Sequence, residues 1–219
     1  MNSVLNFDGR EQFDTYLLSL ERDDPEWLES LRGRATEDDI PIIRRQSCSL
    51  LRVLLALTRP ERILEVGTAV GYSALFMAAH DPDLKELVTM ENYPPRIEQA
   101  KKNFMDSRFS DHIRLLAGDA KKLLKDLDGE FDFVFLDAAK AQYITILPDI
   151  LRLTKKGGLI VADNVLKEGD ILKPHQAIEK RDRTIHKRMR EFLYGITHTD
   201  ELETAILSAG DGTAVSVRL

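Results

Sequence analysis

Short apolar runs of strand length alternate along the chain with longer segments of helical composition, starting near residue 62. Each run is short enough to be a buried strand, and each intervening segment is long enough to be a helix. The strand candidates are residues 62–66, 86–90, 113–117, 131–136 and 158–162, and the helix candidates between them are residues 72–80, 95–105, 120–127 and 141–153. Strand followed by helix, repeated, predicts an α/β fold with a parallel, doubly wound sheet.

Both ends of the chain depart from this alternation. Residues 203–209 and 212–219 are strand-like runs around a turn with two glycines, so they predict a closing antiparallel hairpin. Residues 1–58 are helical in character, with a helix start signal at DDPEW and an apolar helix at LLRVLLAL. We interpret them as a cover on a single domain that spans residues 1–219, because no linker or repeat divides the chain.

Composition narrows the class of protein. The 219 residues are 43% hydrophobic and 31% charged, as in a globular protein with one core, and the single Cys48 excludes an internal disulfide. No run approaches the roughly 20 apolar residues of a membrane span, and the first residues lack the basic and apolar regions of a secretory signal. We therefore expect a cytoplasmic protein without a membrane partner. The net charge of −6 disfavours bulk attraction to nucleic acid and leaves only a local basic patch for that role.

A glycine-rich turn follows the first strand. The sequence ILEVGTAVGYS places Gly67 and Gly71 between a strand and a helix, where backbone can approach a ligand and helix N–H groups are unpaired. The spacing is G-x-x-x-G rather than the dinucleotide pattern G-x-G-x-x-G, which disfavours a pyrophosphate and a Rossmann dehydrogenase. Glu65, inside the strand end, favours a ligand with cationic groups, and S-adenosylmethionine has two.

Acidic residues end five successive strands. Any one of them has an ordinary explanation as a helix N-cap or turn residue. Together they favour one ligand crevice, because the carboxyl ends of the strands of an open α/β sheet line the same edge. Glu91 lies twenty residues beyond Gly71, where an acid can accept hydrogen bonds from both ribose hydroxyls. The five acids are Glu65, Glu91, Asp119, Asp137 and Asp163.

Two of these acids predict a metal site. Asp137, Asp163 and Asn164 supply two carboxylates and one amide, a set that suits Mg²⁺ or a similar hard divalent cation with open positions. Such a cation would bind a substrate with two adjacent oxygens and lower the pKa of a hydroxyl. Lys140 could accept the hydroxyl proton if the neighbouring cation depresses its own pKa, and the alternative is a solvated lysine.

The motifs as a set resemble the metal-dependent O-methyltransferase family that includes catechol and caffeoyl-coenzyme A methyltransferases. The likeness covers roughly residues 40–219 and rests on ILEVGTAVGYSA, VTMENY, AGDA, FDFVFLDAAKAQY, GGLIVADNVL and GDGTAVSV. It implies a Rossmann-like, seven-stranded sheet, mostly parallel with an antiparallel last strand. It also implies S-adenosylmethionine as cofactor and a methyl ether as product. A binding module without catalysis would not need the second set of acids and the lysine together.

The resemblance also implies a role for each site residue. The cofactor would contact Glu65, Gly67, Gly71 and Ser73 at its methionine part, Glu91 at its ribose, Asp119 and Ala120 at its adenine, and Asp137. The divalent cation would be bound by Asp137, Asp163 and Asn164, and the catalytic residues would be Lys140, as the base, and Asp137.

Within that family the chain most resembles the compact bacterial branch that methylates 5-hydroxyuridine at the tRNA wobble position. PIIRRQS, ADNVLKEG and the basic segment KRDRTIHKRMREF carry this likeness. We expect tRNA to bind through residues 180–190, where Arg183 and Lys187, and also Arg181 and Arg188, would share helical faces. The alternatives are a solvated helix face and a small catechol-like acceptor. The family likeness also implies a homodimer.

Overall fold

The computed structural model describes residues 10–219, apart from the side chains of residues 10, 11, 14 and 168. The first nine residues of the expected cover lie outside the described part. No helix within residues 10–219 is long and apolar enough to cross a membrane. The elements, in chain order, are α1 (Arg10–Ser19), α2 (Glu26–Glu37), α3 (Arg45–Thr58), β1 (Arg62–Val66), α4 (Tyr72–His80), β2 (Glu86–Glu91), α5 (Pro94–Met105), β3 (Ile113–Ala117), α6 (Ala120–Asp126), β4 (Phe131–Leu136), α7 (Tyr143–Leu153), β5 (Thr154–Ala162), α8 (Arg183–His198), β6 (Leu202–Leu207) and β7 (Thr213–Arg218).

The strands form one seven-stranded sheet in the order β3-β2-β1-β4-β5-β7-β6. The first five strands pair in parallel, and β7 runs antiparallel between β5 and β6. This confirms the predicted α/β fold with a mostly parallel sheet and an antiparallel last strand. The chain winds outward in both directions from β1 and β4, so the strand order reverses between them. In such sheets ligands bind at the carboxyl ends beside that reversal.

Helices cover both faces of the sheet. In β4, Phe133 and Phe135 pack with the buried residues of α2 to α5, while Val134 and Leu136 pack with those of α6 to α8. Successive side chains of a strand point to opposite faces, so a central strand with helices on both sides is apolar throughout. The continuous apolar run at residues 133–136 therefore follows from its central position.

Strand β5 and the helix after β4 begin at residues other than those predicted from the sequence. Strand β5 begins at Thr154 rather than at residue 158, because Thr154 pairs with Phe131 across an irregularity in the ladder before Leu159 pairs with Phe133. Gly158 lies at this irregularity, where a Cβ would come within 2.9 Å of the Asp132 carbonyl oxygen. The helix predicted at 141–153 is a 3₁₀ turn, Lys140–Gln142, followed by α7.

The described part of the cover packs into the main core. Leu28 and Leu31 of α2 and Leu51 of α3 are buried in the same cluster as α4 and one face of the sheet. Arg32 adds a polar connection: its Nε and Nη2 donate to the Tyr72 hydroxyl at 3.1 and 2.6 Å, and its Nη1 donates to the Ile43 carbonyl oxygen at 3.2 Å. The guanidinium therefore ties α2 both to α4 and to the segment before α3.

We expect the Arg32→Gln variant to lower the free energy of unfolding by about 2–3 kcal/mol, because the buried Tyr72 hydroxyl and Ile43 carbonyl lose a charged donor. Arg34→Gln is the matched control, since Arg34 is exposed on the same helix and its Nη1 donates to Ser30 within that helix. Its effect should stay within about 0.5 kcal/mol. Urea unfolding followed by far-UV circular dichroism measures both values, and equal values would contradict the role of Arg32.

Candidate active site

A cavity of about 380 Å³ lies at the carboxyl ends of β1, β2 and β4. Its volume and its place beside the reversal of strand order are those of a site for a small organic cofactor. Residues 41–43, which precede α3, close one side of it, so the cover contributes directly to the cavity. The other lining residues come from the loops after the strands and include Gly67, Thr68, Ala69, Tyr72, Ser73, Glu91, Arg96, Gly118, Ala120, Asp137, Lys140 and Asn164.

The two glycines of the predicted turn permit close packing around this cavity. Gly67 has φ +110°, and a Cβ there would overlap the backbone carbonyl of Asp137. Gly71 has φ +85° and is the N-cap of α4, where a Cβ would overlap the ring of Phe104. Both positions require backbone that L-residues with side chains adopt at a cost. Gly67 lines the cavity, whereas Gly71 is not among the lining residues.

Glu65 is fully buried at the end of β1 and is not part of the cavity lining. The Thr89 hydroxyl donates to its Oε2 at 2.5 Å and lies 2.5 Å from the Thr68 hydroxyl. Oε1 has no hydrogen-bond partner among the described residues. Burial raises the pKa of Glu65 to about 7, although the hydroxyls of Ser73 and Thr89 act to lower it. A buried carboxylate with one unpaired oxygen fits a cationic group of a ligand.

The acids of β2 and β3 are arranged differently from each other. Glu91 lines the cavity, and its carboxylate accepts hydrogen bonds from the backbone N–H groups of Ala69, Asn92 and Tyr93 at 2.9 to 3.0 Å. Asp119 is the N-cap of α6 and accepts from the backbone N–H of Lys121 at 3.1 Å. Gly118 and Ala120, rather than Asp119, line the cavity. The predicted contact of Asp119 with an adenine stays a prediction.

The three predicted metal ligands come together where β4 and β5 end. Asp137 and Asn164 line the cavity, and Asp163 is fully buried next to Asn164. The Oδ1 atom of Asp163 accepts from the hydroxyls of Ser47 at 2.9 Å and Thr213 at 3.2 Å. Its Oδ2 atom has no partner among the described residues. Burial raises the pKa of Asp163, and the charge of Asp137 raises it further.

This donor set fits a hard divalent cation. Two carboxylates that repel each other, one of them with an unpaired oxygen, gain from a shared positive charge. Residues 10–219 contain no group of three or more His, Cys, Asp and Glu side chains arranged to bind a metal ion. The set at the strand ends instead combines two acids with the amide of Asn164, whose backbone has φ +56°.

Lys140 lies within the same group of acids. Its Nζ donates to Oδ1 of Asp137 at 2.9 Å, to the backbone oxygen of Asp163 at 3.0 Å and to the Tyr143 hydroxyl at 3.1 Å. Burial acts to lower the pKa of Lys140, but Tyr143 and Asp137 outweigh it and hold the pKa above its ordinary value. The depressed pKa expected from the sequence depended on a neighbouring cation and stays a prediction; without one, Asp137 pairs with the ammonium.

Several functional side chains escaped the sequence prediction. Tyr143 orients Lys140, and its own hydroxyl donates to the Leu136 carbonyl oxygen at 2.8 Å. Thr89 binds Glu65, and Ser47 and Thr213 bind Asp163. All of them are hydroxyl residues, and Ser47 and Thr213 follow polar or glycine-rich segments, RRQ and GDG. Thr89, a hydroxyl residue within the apolar strand β2, carried a signal that could have identified it, whereas Ser47 and Thr213 carried none.

The basic segment 180–190 lies against the Lys140 loop. Arg188 of α8 donates to the Ala141 carbonyl oxygen at 3.0 Å, Arg190 to the Ile171 carbonyl oxygen at 3.2 Å, and Arg183 to the Ile178 carbonyl oxygen at 3.0 Å. Arg181 precedes α8, so the predicted helical face shared by Arg181 and Arg188 was wrong. The exposed cations of the segment are Lys180, Arg181, Lys187, Arg188 and Arg190, whereas Arg183 is half-buried.

Comparison with known proteins gives the family. The model of the O-methyltransferase family matches residues 18–219, and the chain belongs to that family. It is 36% identical over 126 residues to a catechol O-methyltransferase of Niastella koreensis, across 56% of this chain and 57% of that protein. It is 32% identical over 131 residues to a catechol O-methyltransferase of Mycobacterium tuberculosis, across 59% and 60% of the two chains. The matches thus span less than two thirds of either relative.

A solved structure agrees with the chain over its whole length. The SAH-bound methyltransferase PaMTH1 of Podospora anserina superposes with a TM-score of 0.86 at 27% identity, covering 100% of both chains. The tRNA branch, the homodimer and the cytoplasmic location expected from the sequence stay predictions.

The raised pKa of Glu65 predicts how stability depends on pH. A folded-state pKa of about 7, against 4.5 for the free carboxyl, means that the folded chain binds the proton more tightly. The free energy of unfolding therefore falls as pH rises from about 4.5 to 7 and changes little above that. The free energy of unfolding of Glu65→Gln minus that of the unaltered chain should therefore rise by on the order of 2–3 kcal/mol from pH 5 to pH 8.

Urea unfolding of the ligand-free chain at the two pH values measures this difference. Glu37→Gln is the control, because Glu37 is exposed at the end of α2 and should show no such gain. Equal behaviour of the two variants would show that Glu65 is ionised in the folded chain at pH 5.

Proposed function

We propose that this chain transfers a methyl group from S-adenosylmethionine to a hydroxyl that has a second oxygen beside it, with a divalent cation such as Mg²⁺ bound. One observation carries the proposal. The cofactor-type cavity at β1 and β2 is continuous with the set of Asp137, Lys140 and Asn164 at the ends of β4 and β5. Membership of the O-methyltransferase family supports the reaction type. The SAH-bound relative supports the cofactor, because SAH is what S-adenosylmethionine becomes after methyl transfer.

The cofactor would lie along the glycine turn. The unpaired oxygen of Glu65 favours the cationic methionine end of the cofactor, next to Ser73 and Gly67. Glu91 is held by three backbone N–H groups, which fixes its carboxylate to accept hydrogen bonds from ribose hydroxyls. Ala120 then marks the adenine end.

The acceptor would lie on the side of Asp137, Asp163 and Asn164, which would bind the cation. When bound, a divalent cation supplies a positive charge that lowers the pKa of the acceptor hydroxyl and stabilises its oxyanion. Asp137 would then interact with both the cation and the Lys140 ammonium. Its attraction for the ammonium would be weaker, which would favour the neutral form of Lys140. Lys140 takes the hydroxyl proton as the oxygen attacks the methyl carbon. The new O–CH₃ bond forms while the S–CH₃ bond breaks, and SAH leaves.

For the acceptor we propose 5-hydroxyuridine in tRNA, whose 5-hydroxyl lies beside a 4-carbonyl. The support is the position of residues 180–190. Arg188 donates to the carbonyl oxygen of Ala141, next to Lys140, and it is exposed, as are Lys180, Arg181, Lys187 and Arg190. Cations beside the acceptor side of a cavity suit a substrate that carries phosphates.

A small catechol-like molecule is the second candidate acceptor. It is favoured by the two relatives named catechol O-methyltransferase. It is also favoured because Arg183, Arg188 and Arg190 already donate to carbonyl oxygens of the chain itself, which gives these arginines a structural role without RNA.

Lys140→Met should lower kcat for methyl transfer by about 10²- to 10⁴-fold, because the variant lacks the proton acceptor. Its affinity for SAH should stay within a few-fold, since most of the proposed cofactor contacts, such as Gly67, Ser73 and Glu91, follow or end other strands. Lys122→Met, an exposed lysine of α6, is the matched control and should retain full activity. Transfer from radiolabelled S-adenosylmethionine and calorimetric titration with SAH give the two values. A Lys140→Met variant with full activity would refute Lys140 as the base.

The acceptor class is tested by replacing the exposed lysines. Lys180→Ala combined with Lys187→Ala should weaken methylation of tRNA that carries 5-hydroxyuridine by about tenfold at physiological salt, with a smaller salt dependence. Methylation of catechol should stay unchanged. Lys125→Ala combined with Lys156→Ala, also exposed, is the control. Transfer to catechol alone by the unaltered chain would reject tRNA, and transfer to tRNA alone would reject the small molecule.

A further inference from the structure

We propose that Ser47 and Thr213 are positioning residues for the cation site, and that through Ser47 the cover helix α3 is part of that site. The two hydroxyls fix one oxygen of the Asp163 carboxylate and leave the other directed to the cation. This inference rests on the proposed function. It adds two residues that no sequence motif assigns to the site.

The Asp163 carboxylate is asymmetric in its contacts. Its Oδ1 accepts two hydrogen bonds, at 2.9 Å from Ser47 and at 3.2 Å from Thr213, while Oδ2 has no partner among the described residues. Asp163 is 0% exposed, Ser47 3% and Thr213 2%, so water does not substitute for these donors. Among the described residues, Oδ1 has two donors and Oδ2 has none, so Oδ2 is the oxygen that remains able to bind a cation. A carboxylate held in this way presents a single oxygen to a cation.

Each hydroxyl has one hydrogen to donate, so its direction matters. Thr213 has a second acceptor, the Ala209 carbonyl oxygen, at 3.4 Å. The Asp163 oxygen is closer and carries charge, and hydrogen bonds to ionised acceptors are roughly twice as strong as neutral ones. The hydrogen of Thr213 is therefore directed to Asp163. Ser47 has Asp163 as its hydrogen-bond acceptor at 2.9 Å.

The packing around Ser47 holds its hydroxyl in place. Gly210 has φ +57°, and a Cβ there would overlap Oγ of Ser47. The same loop accepts hydrogen bonds from the residues after Asn164: Val165 N–H donates to the Gly212 carbonyl oxygen at 2.9 Å. The start of α3, the loop before β7 and the end of β5 therefore form one packed unit around Asp163. The cation affinity should depend on the cover helix as well as on the strand ends.

A direct test measures cation binding without turnover. Mn²⁺ binding to the full-length chain, followed by electron paramagnetic resonance of free Mn²⁺, is compared for the unaltered chain, Ser47→Ala, Thr213→Val and the double variant. Loss of groups that orient a metal ligand typically weakens metal binding 10- to 100-fold, and we expect a loss of about that size in the double variant. Thr213→Ser keeps the hydroxyl and should retain the affinity of the unaltered chain.

Two controls separate positioning from a general loss of structure. Thr154→Val removes an equally buried hydroxyl, which donates to the Ile150 carbonyl oxygen far from Asp163, and should leave Mn²⁺ affinity unchanged. The affinity for SAH in the absence of metal should be the same in all variants. If the double variant does not fold, the pair Thr213→Val and Thr213→Ser decides the matter: equal Mn²⁺ affinities reject the inference and a difference supports it.

The outcomes distinguish this inference from the proposed function. Mn²⁺ affinity that is equal in the unaltered chain and the folded double variant overturns the inference and leaves the proposed function intact. An unaltered chain that does not bind Mn²⁺ overturns the metal-dependent function, and the inference falls with it. Weaker Mn²⁺ binding with unchanged SAH affinity supports both.

Discussion

The burial of carboxylates at the ends of parallel strands is the constraint on which the rest of the site depends. Glu65 and Asp163 are both fully buried, and each has one oxygen without a partner among the described residues. An unpaired buried charge is costly, and the cost normally appears as a raised pKa, as it does for both residues. Each acid is paired on its other oxygen by neutral hydroxyls rather than by a cation, which keeps the free oxygen available for a positive ligand group.

The cover also contacts groups at the carboxyl ends of these strands. Arg32 connects the Tyr72 hydroxyl to the Ile43 carbonyl, and both Tyr72 and Ile43 line the cavity. Ser47 extends from the first turns of α3 to Asp163, 116 residues further along the chain. The cover thus contacts the cavity lining through Arg32 and the buried Asp163 at the end of β5 through Ser47. Packing of apolar helix faces alone would bury the core without placing polar groups at either end of the cavity.

The fold was largely predictable because its central strands are buried on both faces. That position requires short, continuously apolar runs such as 133–136, and the acids that follow such runs must meet at one edge of a parallel sheet. Residues Glu65, Glu91, Asp137 and Asp163 were recognisable for this reason. The start of β5 was not, because the Lys-Lys-Gly-Gly run that resembles a turn takes part in an irregular ladder.

Interactions that join distant parts of the chain could not be predicted. Thr213 and Ser47 are ordinary hydroxyl residues until the fold brings both to one carboxylate oxygen. The direction of the pKa shift of Lys140 could not be predicted from the sequence either. Its direction depends on whether burial or the partners Asp137 and Tyr143 dominate, and only the distances decide this. Asp119 shows the opposite case, since its local role as a helix N-cap was the ordinary alternative open from the sequence.

The basic segment, residues 180–190, contains more cationic side chains than are free of hydrogen bonds to the chain itself. By sequence it is a run of six cations, but Arg183, Arg188 and Arg190 are hydrogen-bonded to backbone carbonyls. Those acceptors are neutral, so the hydrogen bonds fix the guanidinium groups in place without cancelling their charge. Carboxylate partners, such as Glu179 beside Arg181, do cancel charge. Arg188 lies against the Lys140 loop. At physiological salt the potential of a charge is screened over a Debye length of roughly 8 Å, so Arg188 acts mainly on groups near that loop. The positive charge of Arg188 is therefore present at this end of the cavity together with the negative charge of Asp137, and the balance of the two sets the local potential.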